Sequence, residues 1–420
     1  MLNINLIREK TDEIKQNLLK RTTEDKLDFT TILKLDDERK ELIGKADELK
    51  TQRNKQSKTK PTPEIIEQMK KIGEKIKSLD EELKKVETKL NEALAELPNI
   101  VADDVVAGGK ENNKVIKTFG EKPEFKFKLK DHVELATDLG LVDYERGAKM
   151  SGAGFWVYKG DGALLEWALL NYFIEFHKKN NYTFILPPYL LSEESAYTSG
   201  HLPKFRDDLY WTQDKLCLNA TSEMMLGNYH RDEILDGAEL PLKYYAYSPC
   251  FRREAGSYRK EERGMIRGHQ FNKIEMFQFV KPEDSWNAFA ELLANAEKLV
   301  EGLGLHYQTA QLAAGDCSSA MAKTNDIEVW IPSMEIYKEV SSVSNALDYQ
   351  ARRGNVKYKD NDGKKQFVHT LNASGLATSR LIPAILEQFQ QEDGSVVVPE
   401  VLRGWVGKDI FLPMSFRPKS

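Results

Sequence analysis

Between Ile65 and Leu97 the chain carries a run of apolar residues that limits its fold more than any other feature. Ile65, Met69, Ile72, Ile76, Leu79, Leu83, Val86, Leu90, Ala93 and Leu97 step alternately by four and three. That spacing puts them all on one narrow stripe of a helix, and such a stripe needs a partner helix to cover it. Leu35, Leu42, Ala46 and Leu49 form a shorter matching seam, and the other faces are mostly Lys, Glu, Asp and Gln. The pattern predicts a helical hairpin over about 28–97 with its tip at about 57–62. Thr62-Pro63-Glu64 supplies a helix start with proline in the first turn, and Pro98 a stop. At 1.5 Å per residue, the span 64–96 would be about 50 Å long.

Charge on this predicted arm is uneven. Lys50, Arg53, Lys55, Lys58 and Lys60 lie between Glu48 and Glu64 with no acid among them. A basic tip suits a phosphate backbone, because each neutralised phosphate releases a counterion. A dimerising coiled coil with a solvated turn fits the same heptads and is their commoner use.

At 420 residues the chain exceeds one ordinary domain. The expected division is 1–103, a helical arm, and 104–420, a second domain. No run of about 18 apolar residues occurs, so a membrane span is not expected. The first ten residues lack the basic-then-apolar order of a secretion signal. Cys217, Cys250 and Cys317 stand far apart, which disfavours a disulfide framework and a zinc site and suits a reducing cytoplasm. A net charge of −5 disfavours a generic nucleic-acid binder while leaving room for a local basic footprint.

From Ala102 onward the period changes. Short β-rich runs at 244–247 and 326–331 alternate with amphipathic helical patterns at 163–179 and 285–303. Without regular βαβ spacing, this predicts an α+β fold, an antiparallel sheet flanked by helices. Neither G-x-x-x-x-G-K-[ST] nor G-x-G-x-x-G is present.

The densest chemistry lies in 250–275. Strand alternation would put Arg267, His269, Phe271, Lys273 and Glu275 on one face, with Arg252 and Glu254 sharing a face just before. Such a surface has the means to grip a triphosphate, stack a purine and hold a small zwitterion. A solvated face laced with ion pairs fits these residues equally well. Four further patches each have a plain alternative. Thr221-Ser222-Glu223 offers a hydroxyl and a carboxylate, or a helix cap. Glu339-Val340-Ser341-Ser342 offers hard oxygen ligands of the kind magnesium prefers, or an exposed strand. Asn372-Ala373-Ser374-Gly375 precedes a helix bearing Arg380, which would otherwise make a surface ion pair. Residues 181–189 end in Pro187 and Pro188, a passage into a strand or a sheet-edge stop.

In their order these patches resemble the signature motifs of class II aminoacyl-tRNA synthetases, specifically the bacterial-type seryl-tRNA synthetases. Residues 181–189 look like motif 1, 250–277 like motif 2 and 371–387 like motif 3. The predicted arm resembles the coiled coil with which that family grips the variable arm of its tRNA. The likeness runs from residue 1 to about 407. Phe-Arg-x-Glu-Ala-Gly-Ser followed by Arg-x-His-Gln-Phe-x-Lys-x-Glu is its most specific part, and Tyr349-Gln350-Ala351-Arg352-Arg353 adds to it.

The resemblance implies a serine–tRNA ligase that forms seryl-adenylate from ATP and L-serine, then loads tRNA(Ser), with tRNA(Sec) a further candidate. It implies that Arg252 holds the α-phosphate and Arg380 the γ-phosphate. Arg253, Glu254, Arg267, Phe271, Val340 and Ser341 would complete the ATP site, Phe271 stacking on adenine and Glu254 accepting from its amino group. Glu339 and Ser342 would hold Mg2+ against the phosphates, with no zinc. Thr221, Ser222, Glu223, Glu275, Asn372 and Ser374 would bind serine, Thr221 and Glu223 taking its ammonium group and Glu275 and Ser374 its hydroxyl. Arg53, Lys55, Lys58, Lys60, Tyr258, Arg259 and Lys260 would meet tRNA. The family pattern also implies a cytoplasmic homodimer.

Several positions depart from that pattern. Ala373 stands where glycine is common, Ser222 where alanine is, and Val343 where cysteine is frequent. The runs 316–320 and 153–155 are also unusual. Ala373 would add a methyl beside Ser374 and alter the serine pocket. Two competing functions remain: an activating paralogue that loads a carrier protein, and a non-catalytic RNA-binding descendant. The long seam and scattered cysteines count against the first. The retention of Arg252, Glu275 and Arg380 counts against the second.

Overall fold

The computed structural model describes residues 1–58, 62–255 and 264–416. Lys60, Tyr258, Arg259 and Lys260, expected at the tRNA, lie outside the described residues. The chain forms two compact units, Met1–Ile100 and Val101–Ser420.

In the first unit, α1 (Phe29–Gln56) and α2 (Pro63–Glu96) pair as the hairpin. Asp28 caps α1 by accepting from the Thr31 backbone N–H. Thr62 does the same for Ile65, with Pro63 at the first helical position. Leu97, which precedes Pro98, is already extended, as the clash with the proline ring demands. Ile76, Val86 and Leu90 of the seam are buried against a partner stripe that includes Leu42 and Ala46. The antiparallel register shows in two cross-pairs, Lys50 with Asp80 at 3.5 Å and Gln56 with Gln68 at 3.2 Å.

A buried acid that the sequence pattern did not single out fastens this unit. The side chain of Asp36 is fully buried, and its carboxylate meets Arg8 at 2.8 Å, Arg39 at 2.7 Å and Lys40 at 2.9 Å. Burial alone would raise its pKa, but Lys40, Arg39 and Arg8 outweigh it and hold the carboxyl down at about 2.

The second unit is built on an eight-stranded sheet. Its strands are β1 (Lys114–Phe119), β2 (Thr183–Ile185), β3 (Leu242–Phe251), β4 (Gln270–Val280), β5 (Tyr307–Gln311), β6 (Lys323–Ile331), β7 (Ile336–Leu347) and β8 (His369–Ala377). They lie in the order β1-β5-β6-β7-β8-β4-β3-β2, antiparallel throughout except for edge strand β2. Helices α3 (Asp161–Lys179), α4 (Ser285–Gly302) and α5 (Thr378–Gln388) supply Leu165, Phe173, Leu292, Leu299, Leu381 and Ile385 to one core. Ile274 and Met276 of β4, Val343 of β7 and Leu371 and Ala373 of β8 face that core. Alternation therefore leaves Lys273, Glu275, Ser342, Asn372 and Ser374 on the other face. This is the α+β arrangement expected, and no helix among the described residues is long and apolar enough to cross a membrane.

Asp36 gives the first unit an acid-sensitive fastening. Its folded pKa lies below the unfolded value, so its contribution is complete above about pH 4 and is lost as pH falls towards 2. The contribution should be about 2 kcal/mol, since one pKa unit is 1.36 kcal/mol. Asp36→Asn should remove that much at pH 7 and flatten the loss between pH 4 and 2, read by helix circular dichroism during urea unfolding.

Candidate active site

The exposed sheet face floors a cavity of about 490 Å³. Arg252, Glu254, Arg267, Glu275, Glu339, Ser342, Ser374 and Arg380 all line it, with Thr221, Glu223 and Asn372. A contiguous smaller recess adds Phe271 and Val340. Residues spread over 160 positions of sequence thus meet on one floor.

Three predicted residues stand apart from the cavity. The Ser222 hydroxyl is buried against Ser248 Oγ at 2.7 Å. Ser341 faces the opposite way from Ser342 and donates to the Ser374 carbonyl at 2.6 Å. Arg253 is exposed, its backbone N–H bound to the Asp208 carbonyl. His269, expected on the charged face, precedes β4; its Nδ1 lies 3.0 Å from the Arg252 carbonyl and its ring packs on Phe155.

A bulge explains how Glu339 and Ser342 share a face. Three residues apart on a regular strand, they would point to opposite sides. The β6–β7 pairing slips between Ile327–Ser341 and Glu328–Glu339, leaving Val340 as the extra residue. Ser342 Oγ reaches Asp326 Oδ1 at 2.6 Å and Glu339 Oε1 at 3.0 Å. Arg380 donates to the Glu339 carbonyl at 2.7 Å and lies 3.3 Å from its carboxylate. Burial works to raise the Glu339 carboxyl, but Arg380, Ser342 and Arg252 hold it below the ordinary range. Asp326 goes the other way, driven up by burial and by the Glu339 charge. Two carboxylates and a hydroxyl set close together, with Arg380 beside them, form a hard-oxygen donor set that fits magnesium.

At the other end, the sequence pattern missed the role of Lys273. Its ammonium is buried against the Glu275 carboxylate and donates to Thr221 Oγ1 at 2.6 Å. Thr221 in turn donates to Glu275 at 3.3 Å, and Ser374 Oγ lies 3.5 Å from the same oxygen. Glu223 accepts from Gln350 at 2.7 Å, and burial followed by the Glu275 charge pushes its carboxyl up to about 7. His201 also lines the cavity. Burial and then Arg252, Lys273 and Arg353 push it down to about 3, so it is neutral at pH 7. Between the two ends, the Arg252 guanidinium lies 5.1 Å from the Phe271 ring centre, and Arg267 Nε donates to Glu254 at 2.7 Å.

Of the departures from the family pattern, Ala373 and Val343 fall behind this floor, whereas Ser318 and Ala320 of the unusual run 316–320 line the cavity. Ala373 and Val343 pair across β7 and β8 with both side chains in the core. The extra methyl of Ala373 thus points away from Ser374, contrary to expectation.

Because Lys273 is the partner of a buried carboxylate, Lys273→Met should cost about 3–5 kcal/mol by leaving Glu275 uncompensated. Urea unfolding followed by tryptophan fluorescence measures this, and a loss under about 1 kcal/mol would show the pair to be dispensable.

Comparison with known proteins agrees with both units. Residues 1–101 match the model of the seryl-tRNA synthetase N-terminal domain, and 204–389 that of the class II tRNA synthetase core domain (G, H, P, S and T). The serine–tRNA ligase 2 of Clostridium acetobutylicum is 56% identical, with 97% of this chain and 100% of that protein covered. The serine–tRNA ligase of Bacillus subtilis is 46% identical over 97% of this chain and 98% of its own length. Among solved structures, seryl-tRNA synthetase from Pyrococcus horikoshii complexed with ATP superposes with a TM-score of 0.90 at 35% identity, covering 99% of this chain and 100% of that one. With a helical hairpin, an antiparallel sheet carrying a charged floor, and full-length relatives of this closeness, the chain belongs to the seryl-tRNA synthetase family.

Proposed function

We propose that the protein is a serine–tRNA ligase: it activates L-serine with ATP to seryl-adenylate and transfers the seryl group to tRNA(Ser). The observation that carries this reading is the convergence of Arg252, Phe271, Glu275, Glu339 and Arg380 on one cavity. In the first step a serine carboxylate oxygen attacks the α-phosphorus and pyrophosphate leaves. In the second, a terminal ribose hydroxyl of the tRNA attacks the seryl carbonyl and AMP leaves. Positioning and charge stabilisation do most of this work.

Arg252 is assigned to the α-phosphate and Arg380 to the γ-phosphate, guanidinium groups being permanently charged and able to fork onto phosphate oxygens. Phe271 offers its ring to adenine. Glu254 accepts from the adenine amino group, with Arg267 holding that carboxylate in place. Mg2+, held by Glu339 and Ser342, would neutralise phosphate charge. Thr221 and Glu223 take the serine ammonium, while Glu275 and Ser374 take the hydroxyl. A pocket built around a hydroxyl rejects alanine strongly, because alanine leaves buried polar groups unpaired.

The basic residues Arg53, Lys55 and Lys58, with Lys60 beyond the described residues, are assigned to the tRNA backbone, and charging of tRNA(Sec) follows if its arm is read the same way. We also assign a homodimer and a cytoplasmic location. The exposed apolar side chains of Leu164, Trp167 and Leu186 support a subunit interface.

Serine-dependent ATP–pyrophosphate exchange tests the first step. Arg252→Ala and Arg380→Ala should each lower it by a factor of about 100 or more, with little loss of stability; near-normal exchange in either would refute the assignment. Neutralising Arg53, Lys55, Lys58 and Lys60 together should weaken tRNA binding and flatten its salt dependence without changing exchange. If exchange fell in parallel, separate duties for the two units would be wrong. Protonation of Glu223, whose pKa is about 7, removes the charge assigned to the ammonium. The KM for serine should therefore rise as pH falls through 7, and Glu223→Gln should abolish that slope.

A further inference from the structure

A buried carboxylate behind the sheet has no part in the chemistry above. Glu166 lies in the first half of α3 and is 3% exposed. Its Oε1 accepts from Asn272 Nδ2 at 2.7 Å and from Thr378 Oγ1 at 2.6 Å. Thr378 Oγ1 also lies 3.2 Å from the Asn272 carbonyl, and Tyr247 donates to Asn272 Oδ1 at 3.1 Å. One oxygen thus joins three elements: α3, strand β4 and the first residue of α5.

What those partners adjoin gives the contact its meaning. Asn272 sits between Phe271 and Lys273 on β4, and Thr378 stands two residues before Arg380 on α5. The β4–β8 pairing slips between Ser374 and Ala377, so the sheet ladder does not by itself fix where α5 begins relative to β4. The Glu166 contacts bridge that irregularity. The nearby buried Tyr158 hydroxyl also acts on this carboxylate, opposing, with Thr378 and Asn272, the burial that raises it.

We infer that Glu166 is a positioning residue for ATP, setting the Phe271 ring and the Arg380 guanidinium at a fixed separation through Asn272 and Thr378. The inference rests on the ATP site proposed above. Glu275 and Ser374 pair in the regular part of the β4–β8 ladder, and Thr221 and Glu223 lie on another segment, so the serine end should feel a change at Glu166 less than the ATP end. An amide is a close substitute. Burial pushes the Glu166 carboxyl up to about 7, and a glutamine oxygen accepts from the same two donors.

The test compares wild type, Glu166→Ala, Glu166→Gln and Thr378→Val in ATP–pyrophosphate exchange, with ATP and serine each varied, alongside thermal unfolding. Glu166→Ala should raise the KM for ATP about tenfold and lower kcat, while the KM for serine moves less than about threefold. Glu166→Gln should restore ATP kinetics to within about threefold of wild type. Thr378→Val removes one hydroxyl with little change of volume, and should show a smaller shift in the same direction even if Glu166→Ala folds poorly. Equal shifts in both KM values, or lost stability with both unchanged, would reduce Glu166 to a packing residue and overturn the inference. So would a glutamine variant as impaired as the alanine one. A wild-type chain with no serine-dependent exchange would instead overturn the ligase reading on which the inference rests.

Discussion

The buried Lys273–Glu275 pair is the contact on which the floor of the cavity depends. A strand that carries charge on one face and core residues on the other gains nothing from placing those charges out of water unless they meet. Here they do: the lysine ammonium lies between the Glu275 carboxylate and the Thr221 hydroxyl, and Ser374 comes in from the next strand. The result is a polar surface that is internally satisfied yet still has hydrogen-bonding capacity facing the cavity. Ile274 and Met276, the intervening residues of β4, hold that surface in place by packing on the helices behind. Core and site are two faces of one strand, so they cannot be altered independently.

Much of this was legible in the residue pattern, and the parts that were not share a physical reason. Heptad spacing reports helix pairing directly, which is why Ile76, Val86 and Leu90 fell on the buried stripe. Caps are local too, so Thr62 and Pro63 opened α2 where expected. Alternation placed Phe271, Lys273 and Glu275 together on the cavity side. It failed at His269, which lies before the strand begins, where the chain has already turned towards Arg252 and Phe155. It also gave no means of bringing Glu339 and Ser342 to one side. That depends on the bulge at Val340, and a bulge is a property of two strands, so one strand's sequence does not display it. Asp36, Glu166 and the pairing of Lys273 were missed for a related reason. In each case one partner that makes burial tolerable lies far off in sequence: Arg8 for Asp36, Thr221 for Lys273, and Asn272 and Thr378 for Glu166.

Three of the unusual residues, Ala373, Val343 and Ser222, fall where they leave the floor unchanged. Ala373 and Val343 face each other across β7 and β8 inside the core, so the methyl added at one fits beside the branched side chain at the other. Ser222 exchanges an apolar contact for a hydroxyl pair with Ser248, whose own hydroxyl also accepts from Asn219. A buried hydroxyl is tolerated when it finds such a partner, and a pair of them is close to neutral relative to two small apolar groups. Variation behind the floor is therefore cheap, while the polar groups in front are held by their own contacts.

The same geometry sets what the cavity is able to distinguish. Its polar residues keep hydrogen-bonding capacity towards the cavity, so an amino acid that lacks a hydroxyl would cover them without pairing them, and this works strongly against alanine. A larger hydroxylated amino acid offends no hydrogen bond and is resisted by wall shape alone, with far weaker leverage. That wall includes Met321, whose sulfur lies 3.9 Å from Asn372 Nδ2, and a thioether with three rotatable bonds gives way more easily than a branched side chain. Selection by hydrogen bonds and selection by shape thus reside in different parts of one cavity. The first is fixed by rigid strands, the second by the packing of a buried thioether.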